Sequence, residues 1–127
     1  NKEISVYESN RNDKKLIKKY IKTNRTVASL YDLIEAENLM ESRSKRPVRP
    51  NSWHRARIIS KNGHVEHWVD NIKVLEYNRF SQMFKSLIKY SKYSIFEDFG
   101  RLNNGHILLQ DHGNEVSFKN IKIRKLK

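Results

Sequence analysis

Near the end of the chain stand three neighbouring side chains that can exchange protons or form hydrogen bonds, Gln110, Asp111 and His112. The aliphatic run 107–109 precedes them, and Gly113 follows. Imidazole has an unperturbed pKa of about 6.5, so His112 can take or give a proton near neutral pH. An adjacent carboxylate can fix the tautomer of the ring. We therefore expect His112 to be the principal general base or acid, with Asp111 and Gln110 as orienting or substrate-contacting groups.

Two predicted strands position these groups. The first lies within residues 105–110, where the aliphatic residues 107–109 lead directly into these groups. Because neighbours on a strand point to opposite faces, Asp111 and His112 can share a pocket only if the strand has already ended. In residues 115–124 apolar and polar side chains alternate, which predicts a closing strand. A phase slip at 119–120 indicates a bulge in that strand.

A meander of three strands is predicted in the middle of the chain. Residues 53–60 and 64–69 are strand-like runs separated by Asn62-Gly63, a pair that takes the positive φ values of a tight hairpin turn. Asp70-Asn71 is a second turn-competent pair, and it leads into a third run over 72–77. Strands joined by tight turns are antiparallel neighbours, so this pattern indicates an antiparallel sheet.

The remaining elements are predicted from shorter patterns. Residues 3–8 alternate like a strand with one buried face. Residues 81–92 predict the one helix, with Ser81 as its N-cap and with apolar and lysine stripes at helical spacing. The charged stretch 35–50 contains two prolines that do not fit a central strand, so it is predicted to be a loop.

Composition bounds the class of protein. The chain has 127 residues, enough for one domain with a core, and its 31% charged residues leave a heavily solvated surface. It has no cysteine, which excludes disulfides and thiolate chemistry. No apolar run reaches the roughly 18 residues that span a bilayer. No signal peptide is recognised, and Asn1 looks like an internal start, so we expect a portion of a larger domain.

The formal net charge of +12 has two interpretations. It could attract nucleic acid or another polyanion, or it could be a lysine-rich surface that keeps the protein dissolved. We favour the second, because the basic residues are spread along the chain and no nucleic-acid motif accompanies them. We therefore expect no specific nucleic-acid partner. The lysine-rich segment 14–22 is either a basic amphipathic segment or a surface loop with a short helical turn, and we favour the loop.

Several motifs together resemble one known family, the 3-keto-disaccharide hydrolases. The C-terminal motif is Gly105-His106-Ile107-x-Leu109-Gln110-Asp111-His112-Gly113-x-x-Val116-x-Phe118-x-Asn120-Ile121-Lys122-Ile123. The meander adds Trp53, Arg57, Ile58, His67 and Trp68. The first predicted strand keeps Glu3, while Ser5 and Glu8 stand where the family has Gln and Asp. Residues 24–34 resemble a family strand that ends in Tyr-Asp-Leu, which predicts a strand there with Tyr31 and Asp32 near the rim of the site.

The resemblance implies a fold and an activity. The fold would be all-β, a concanavalin-like β-sandwich (jelly roll) with one short helix, in which residues 1–127 form a single domain portion that lacks the N-terminal strands. The protein would be a bacterial, secreted or periplasmic enzyme that binds an oligosaccharide or keto-sugar. A ketone at C3 acidifies the C2 hydrogen, so a base can remove it and expel the glycosidic oxygen, after which water can add. The alternative is a carbohydrate-binding module on the same sandwich.

These arguments define a candidate site. The expected catalytic residues are His112, Asp111 and Glu3, and the expected substrate contacts are Gln110, Tyr31, Asp32, Glu8, His67, Trp68 and Lys92. Tyr31 and Asp32 have an equally good structural interpretation, in which the tyrosine packs in the core and the aspartate caps a turn. The cofactor is undetermined from sequence. A divalent cation held by Glu, Asp and His side chains is a candidate for polarising the ketone.

Overall fold

A computed structural model describes residues 23–36, 51–111 and 113–126. Its regular elements are the strands Ala56–Lys61 (β1), His64–Val69 (β2) and Ile72–Asn78 (β3), the α-helix Gln82–Lys89 (α1), and the 3₁₀ helices Thr23–Arg25 (η1) and Lys92–Ile95 (η2). Among the described residues, no helix is long and apolar enough to cross a membrane.

The predicted meander is confirmed as an antiparallel sheet in the order β1-β2-β3. Asn62 and Gly63 have φ values of 52° and 81°, and Asp70 and Asn71 have φ values of 48° and 67°. Two consecutive positive φ values are the mark of the hairpin turn whose twist matches that of the flanking strands. The residue types at these positions therefore determine where both hairpin turns lie.

The second hairpin contains a bulge that shifts its register by one residue. Next to the turn, Trp68 pairs with Lys73, but one residue further His67 pairs with Leu75, so Val74 is an extra residue in β3. Beyond the bulge, Glu66 lies opposite Glu76. Without the shift, residue 66 would pair with residue 75, and Glu76 would fall on the opposite face of the sheet.

The two faces of the sheet differ in character. The inner face, which carries Val65, Val69 and Leu75, is buried. Turn residues 28–36 pack on part of it, and Ala36 completes the buried cluster. The outer face carries His64, Glu66 and Trp68 of β2, because neighbouring strand residues point to opposite sides. Full burial of one aliphatic side chain stabilises the fold by about 1.5–3 kcal/mol, so these side chains determine which face of the sheet points to the core.

The helix begins as predicted and ends earlier. The Oγ atom of Ser81 accepts a hydrogen bond from the Phe84 backbone N–H at 3.1 Å, which is the N-cap interaction. Phe84 is buried and stacks on Tyr77, with ring centroids 5.3 Å apart. The α-helix stops at Lys89 rather than at the predicted residue 92, because Ser91 starts a new turn by capping η2.

The strand predicted over residues 24–34 is wrong. This segment contains η1 and a series of turns, with one isolated bridge between Leu30 and Ile34. Ala28 and Asp32 have φ values of 64° and 63°, which no extended strand can accommodate. The resemblance to a family strand does not reveal such backbone reversals.

The two strands predicted near the C-terminus are also wrong for the described residues. Neither 105–110 nor 115–124 forms a strand, and the described residues from 101 to 126 are all exposed, Ile123 to 78%. Alternating apolar residues give a segment one apolar face, but a strand also needs a neighbouring strand to share backbone hydrogen bonds. No such neighbour pairs with these segments within the described ranges. Asn120 does have a φ of 56°, so the backbone turns where the alternation slips. The predicted strand 3–8 and the lysine-rich segment 14–22 lie outside the described residues.

Replacement of Gly63 by alanine should destabilise the first hairpin severely. A Cβ atom at Gly63 would lie 2.4 Å from two ring atoms of Phe80, in addition to the cost of the positive φ. Gly113 is a matched control, since its φ is 88° and a Cβ atom there would meet nothing within 4 Å. We expect Gly113→Ala to cost about 1 kcal/mol at most and Gly63→Ala about 2–4 kcal/mol in urea unfolding. Equal costs for the two variants would contradict the contact with Phe80.

Candidate functional site

Three predicted site residues, Tyr31, Asp32 and Lys92, come together although 60 positions separate the last two. The Nζ atom of Lys92 lies 2.5 Å from Oδ2 of Asp32. The guanidinium of Arg25 binds the same carboxylate with two nitrogens, at 2.5 Å and 2.9 Å. The side chain of Asp32 is only 7% exposed. One desolvated carboxylate therefore holds two cations, a cluster that we call the Asp32 cluster.

The local chain conformation explains how Asp32 reaches both partners. Its backbone N–H donates to the carbonyl oxygen of Asn24, which folds the turn back on η1 and brings Arg25 alongside. Aspartate tolerates the left-handed conformation that this position requires. On the other side, the Oγ atom of Ser91 accepts from the Tyr93 N–H and starts η2, whose first residue is Lys92. Both segments are therefore shaped by short-range hydrogen bonds.

The two cations set the protonation state of the cluster. The hydrogen bond from Arg25, opposed by burial and joined by the hydrogen bond from Lys92, lowers the pKa of Asp32 from 3.8 to about 2. The hydrogen bond to Asp32 in turn raises the pKa of Lys92 above its usual value. At neutral pH the aspartate is therefore ionised and the lysine is protonated. Neither side chain can act as a proton shuttle there, but Lys92 can act as a fixed cationic donor.

Aromatic rings surround the ammonium group. Lys92 Nζ lies 4.8 Å from the ring centroid of Tyr31 and 5.2 Å from that of Tyr93. The Tyr93 hydroxyl donates to the backbone carbonyl of Tyr31 at 3.0 Å, and its ring stacks on Phe99. Tyr31 is 43% exposed, so the predicted alternative in which it packs in the core is wrong. The exposed Tyr31 ring therefore places an apolar surface next to the positive charge of Lys92.

An open hollow of about 750 Å³ adjoins the cluster. Its lining comes from the turn segment, from α1 and from the start of η2, and includes Asn24, Arg25, Asp32, Leu33, Met83, Tyr90 and Lys92. The amide oxygen of Asn24 is buried and has no hydrogen-bond partner among the described residues. Such a hollow is large enough for a small ligand, and it combines an apolar wall with a few convergent polar groups.

The predicted contacts His67 and Trp68 lie on opposite faces of β2. His67 faces inward, where its Nδ1 atom donates to the carbonyl oxygen of Ala28 at 2.8 Å. Trp68 faces outward, its Nε1–H donates to Glu66 at 2.7 Å, and the guanidinium of Arg57 lies 4.5 Å from its ring centroid. The two side chains therefore cannot line one surface.

The remaining predicted residues are not brought to the Asp32 cluster in the described part of the chain. Gln110 and Asp111 are exposed, and a carboxylate oxygen of Asp111 accepts from the Gly113 N–H at 2.9 Å. His112, Glu3 and Glu8 lie outside the described residues, so their roles remain predictions.

Two features of the described residues have no signal in the sequence. Arg25 is not predicted to bind Asp32, because a spacing of seven residues across a turn has no periodic signature. A possible metal-ligand set on the outer face, His64, Glu66 and Glu76, was also missed; the bulge in β3 brings it together. Its donor atoms lie within 4.8 Å of one another. Asn62-Gly63 gave the position of the first turn, but nothing in the sequence gave the bulge.

Comparison with a solved structure defines the fold class first. A 1.70 Å crystal structure of a protein from Parabacteroides distasonis ATCC 8503, provisionally described as a glycosyl hydrolase, matches with a TM-score of 0.53 and 22% identity. The match covers 64% of this chain and 34% of that one. Together with the antiparallel sheet and its single described helix, it confirms the expected sandwich class, a concanavalin-like fold.

The sequence comparisons then identify the family. The chain belongs to the family of 3-keto-alpha-glucoside-1,2-lyase-like domains, whose profile matches residues 3–124. It is 35% identical over 115 residues to a 3-keto-disaccharide hydrolase from Bacteroides thetaiotaomicron. This alignment covers 81% of the chain and 37% of that relative, so the chain spans little more than a third of the relative's length. The family resemblance of the sequence motifs is thereby confirmed.

The Asp32 cluster should make folding stability depend on acid pH. A carboxyl group whose folded pKa is lowered contributes stability that is present above its unfolded pKa and lost as pH falls through its folded pKa. For Asp32 that window runs from about pH 4 down to about pH 2. Asp32→Asn keeps the turn, since asparagine tolerates the same φ, but should cost about 2 kcal/mol at neutral pH.

The measurement is chemical unfolding of wild type and Asp32→Asn between neutral pH and about pH 2.5. The stability difference between them should shrink as the pH falls through the window. Asp98→Asn is the control, because Asp98 is exposed, and its small difference from wild type should stay constant. A difference for Asp32→Asn that does not change with pH would contradict the ion pairing.

Proposed function

We propose that the protein containing this chain is an enzyme that cleaves 3-keto-disaccharides, with the hollow beside the Asp32 cluster as part of its sugar site. Membership of the lyase-like family and the name of the Bacteroides relative support the substrate class. The observation that carries the placement is the ammonium group of Lys92, held protonated by Asp32 at the edge of a hollow.

The reaction is an elimination across C1 and C2 of the keto-sugar. A base removes the C2 hydrogen, which the neighbouring C3 ketone acidifies, and the electrons form an enolate. Collapse of the enolate breaks the C1–O bond, and the leaving oxygen takes a proton to become an alcohol. Addition of water to the resulting enone completes a net hydrolysis. The protein must supply a base, a cation or donor for the enolate oxygen, and an acid for the leaving group.

Lys92 fits the role of the group that stabilises the enolate oxygen. Its ammonium has three N–H donors, of which Asp32 accepts one. Its raised pKa keeps it charged throughout the neutral range. Preorganised charge next to a developing oxyanion lowers the barrier because no reorganisation is needed during the reaction. Asp32 is then a positioning residue, since it holds Lys92 without exchanging protons itself.

The other walls of the hollow suit a sugar ring. The exposed ring of Tyr31 offers an apolar face beside polar groups, which matches the two-sided character of a pyranose. Asn24 lines the hollow, and its buried, unpaired amide oxygen can accept a hydrogen bond from a sugar hydroxyl once the side chain turns toward the ligand. Burial of an unsatisfied acceptor costs free energy, so a ligand that satisfies it gains affinity.

Proton transfer falls to the residues predicted from the family motif. We assign His112 as base or acid, with Asp111 and Gln110 as orienting groups and Glu3 as a second carboxylate. Glu8 remains a predicted sugar contact. His67 and Trp68 lie on opposite faces of β2 and do not line the hollow, so they do not both contact a sugar bound there. Because His67 uses Nδ1 to bind Ala28, only its Nε2 atom is left for a ligand.

Replacement of His112 tests the enzymatic proposal. The protein should convert a 3-keto-glucoside to the free alcohol and keto-sugar, and His112→Ala should reduce kcat by about 100-fold or more, the usual worth of a general base. Sugar binding, measured by calorimetry, should persist in the variant. Binding without turnover in the parent protein would show instead that the domain is a carbohydrate-binding module.

Replacement of Lys92 tests the assigned electrophile. Lys92→Met removes the charge but keeps the length of the side chain, and it should lower kcat by about 100-fold with little change in KM, because the interaction is made mainly in the transition state. Lys85→Met is the matched control, since Lys85 lies exposed on α1 and does not line the hollow. Equal effects of the two substitutions on kcat would contradict the role of Lys92.

A further inference from the structure

The outer face of the β2–β3 hairpin places an imidazole and two carboxylates side by side. The Nε2 atom of His64 lies 3.4 Å from Oε1 of Glu66 and 3.7 Å from Oε2 of Glu76. All three residues offer donor atoms within 4.8 Å of one another. His64 and Glu66 are two residues apart on β2, and Glu76 is the direct cross-strand partner of Glu66. We call these residues the hairpin triad.

These separations fit a single small cation. Bonds of about 2.0–2.2 Å to nitrogen and oxygen place the ligands of a tetrahedral zinc ion about 3.4 Å apart. The two distances from His64 Nε2 are close to that value, so small side-chain rotations would suffice for coordination. His64 and Glu76 are 47% and 52% exposed, which leaves room for water at a fourth position.

The arrangement is specific rather than a chance cluster of surface charges. Only the bulge at Val74 turns Glu76 onto the face of Glu66, and bulges commonly redirect a side chain next to a functional site. The resulting cross-strand pair of glutamates is unfavourable by itself, since like charges directly opposite destabilise a sheet. In addition, Trp68 Nε1–H occupies Oε2 of Glu66, which leaves Oε1 directed at the imidazole. Such an outer hydrogen bond is how proteins orient a ligating carboxylate.

We propose that the hairpin triad is a binding site for a divalent transition-metal ion of the zinc type. One imidazole with two carboxylates suits zinc, whereas calcium and magnesium prefer ligand sets made of oxygen alone. The Lys73 ammonium, 2.6 Å from Oε2 of Glu76, is the competitor that the ion must displace from that oxygen. This inference does not depend on the sugar-cleaving activity, because the triad and the Asp32 cluster share no residue.

Calorimetric titration of the full chain with zinc chloride tests the site. One zinc ion should bind per chain, with magnesium chloride binding at least tenfold more weakly. His64→Ala and Glu76→Gln should each weaken zinc binding tenfold or more, because each removes one of three protein ligands. His106→Ala is the matched control, since His106 is an exposed histidine outside the triad, and it should bind zinc like wild type.

A variant that strengthens binding separates a metal site from simple loss of structure. Lys73→Met removes the competitor and should tighten zinc binding severalfold. Zinc should also raise the Tm of wild type and of Lys73→Met, but not that of His64→Ala, since only a ligand of the folded state stabilises it. No zinc binding at millimolar concentration, equal binding of magnesium, or binding unchanged in both His64→Ala and Glu76→Gln would overturn the proposal.

Discussion

The double ion pair of Asp32 is the interaction on which the described site depends. It joins a turn at residues 24–34 to the segment that follows α1, and the hydrogen bond from Tyr93 to the Tyr31 carbonyl makes a second tie between the same segments. Neither segment belongs to the sheet, so their relative position is not set by ladder hydrogen bonds. Because the carboxylate is nearly removed from solvent, loss of either cation would leave charge poorly compensated. The same bonds that hold the segments also keep Lys92 charged, so stability and the proposed chemistry share one origin.

The sheet supplies the second constraint, through its register. The extra residue in β3 decides which side chains of that strand lie on each face of the sheet. Residues 28–36 pack on the hydrophobic inner face, and the outer face carries charged groups. Burial of Val69 and Leu75 fixes which face is inner. The turn segment that packs there contains Asp32, so the core also supports the ion pairs. The bulge therefore affects the position of Glu76 in the hairpin triad and also the packing of residues 28–36 on the inner face of the sheet.

Features set by short-range chemistry could be predicted from the sequence. Asn62-Gly63 and Asp70-Asn71 take the positive φ that their turns need, and Ser81 caps α1 through its own side chain. Features that depend on distant partners could not. The strand predicted over 24–34 is wrong because Ala28 and Asp32 reverse the backbone, which the resemblance to a family strand does not reveal. The family resemblance placed Tyr31, Asp32 and Lys92 in the candidate site but did not predict that they contact one another. The role of Arg25 and the bulge at Val74 had no local sequence signal.

The proposed function places a keto-sugar in the hollow with its reacting oxygen at Lys92. A crystal structure of the His112→Ala variant with an intact 3-keto-disaccharide tests it directly. We expect the C3 carbonyl oxygen within hydrogen-bonding distance of Lys92 Nζ, a hydroxyl on the Asn24 amide oxygen, and the Asp32 ion pairs unchanged. A sugar bound elsewhere, for instance over Trp68 on the outer face, with the hollow empty, would contradict the claim.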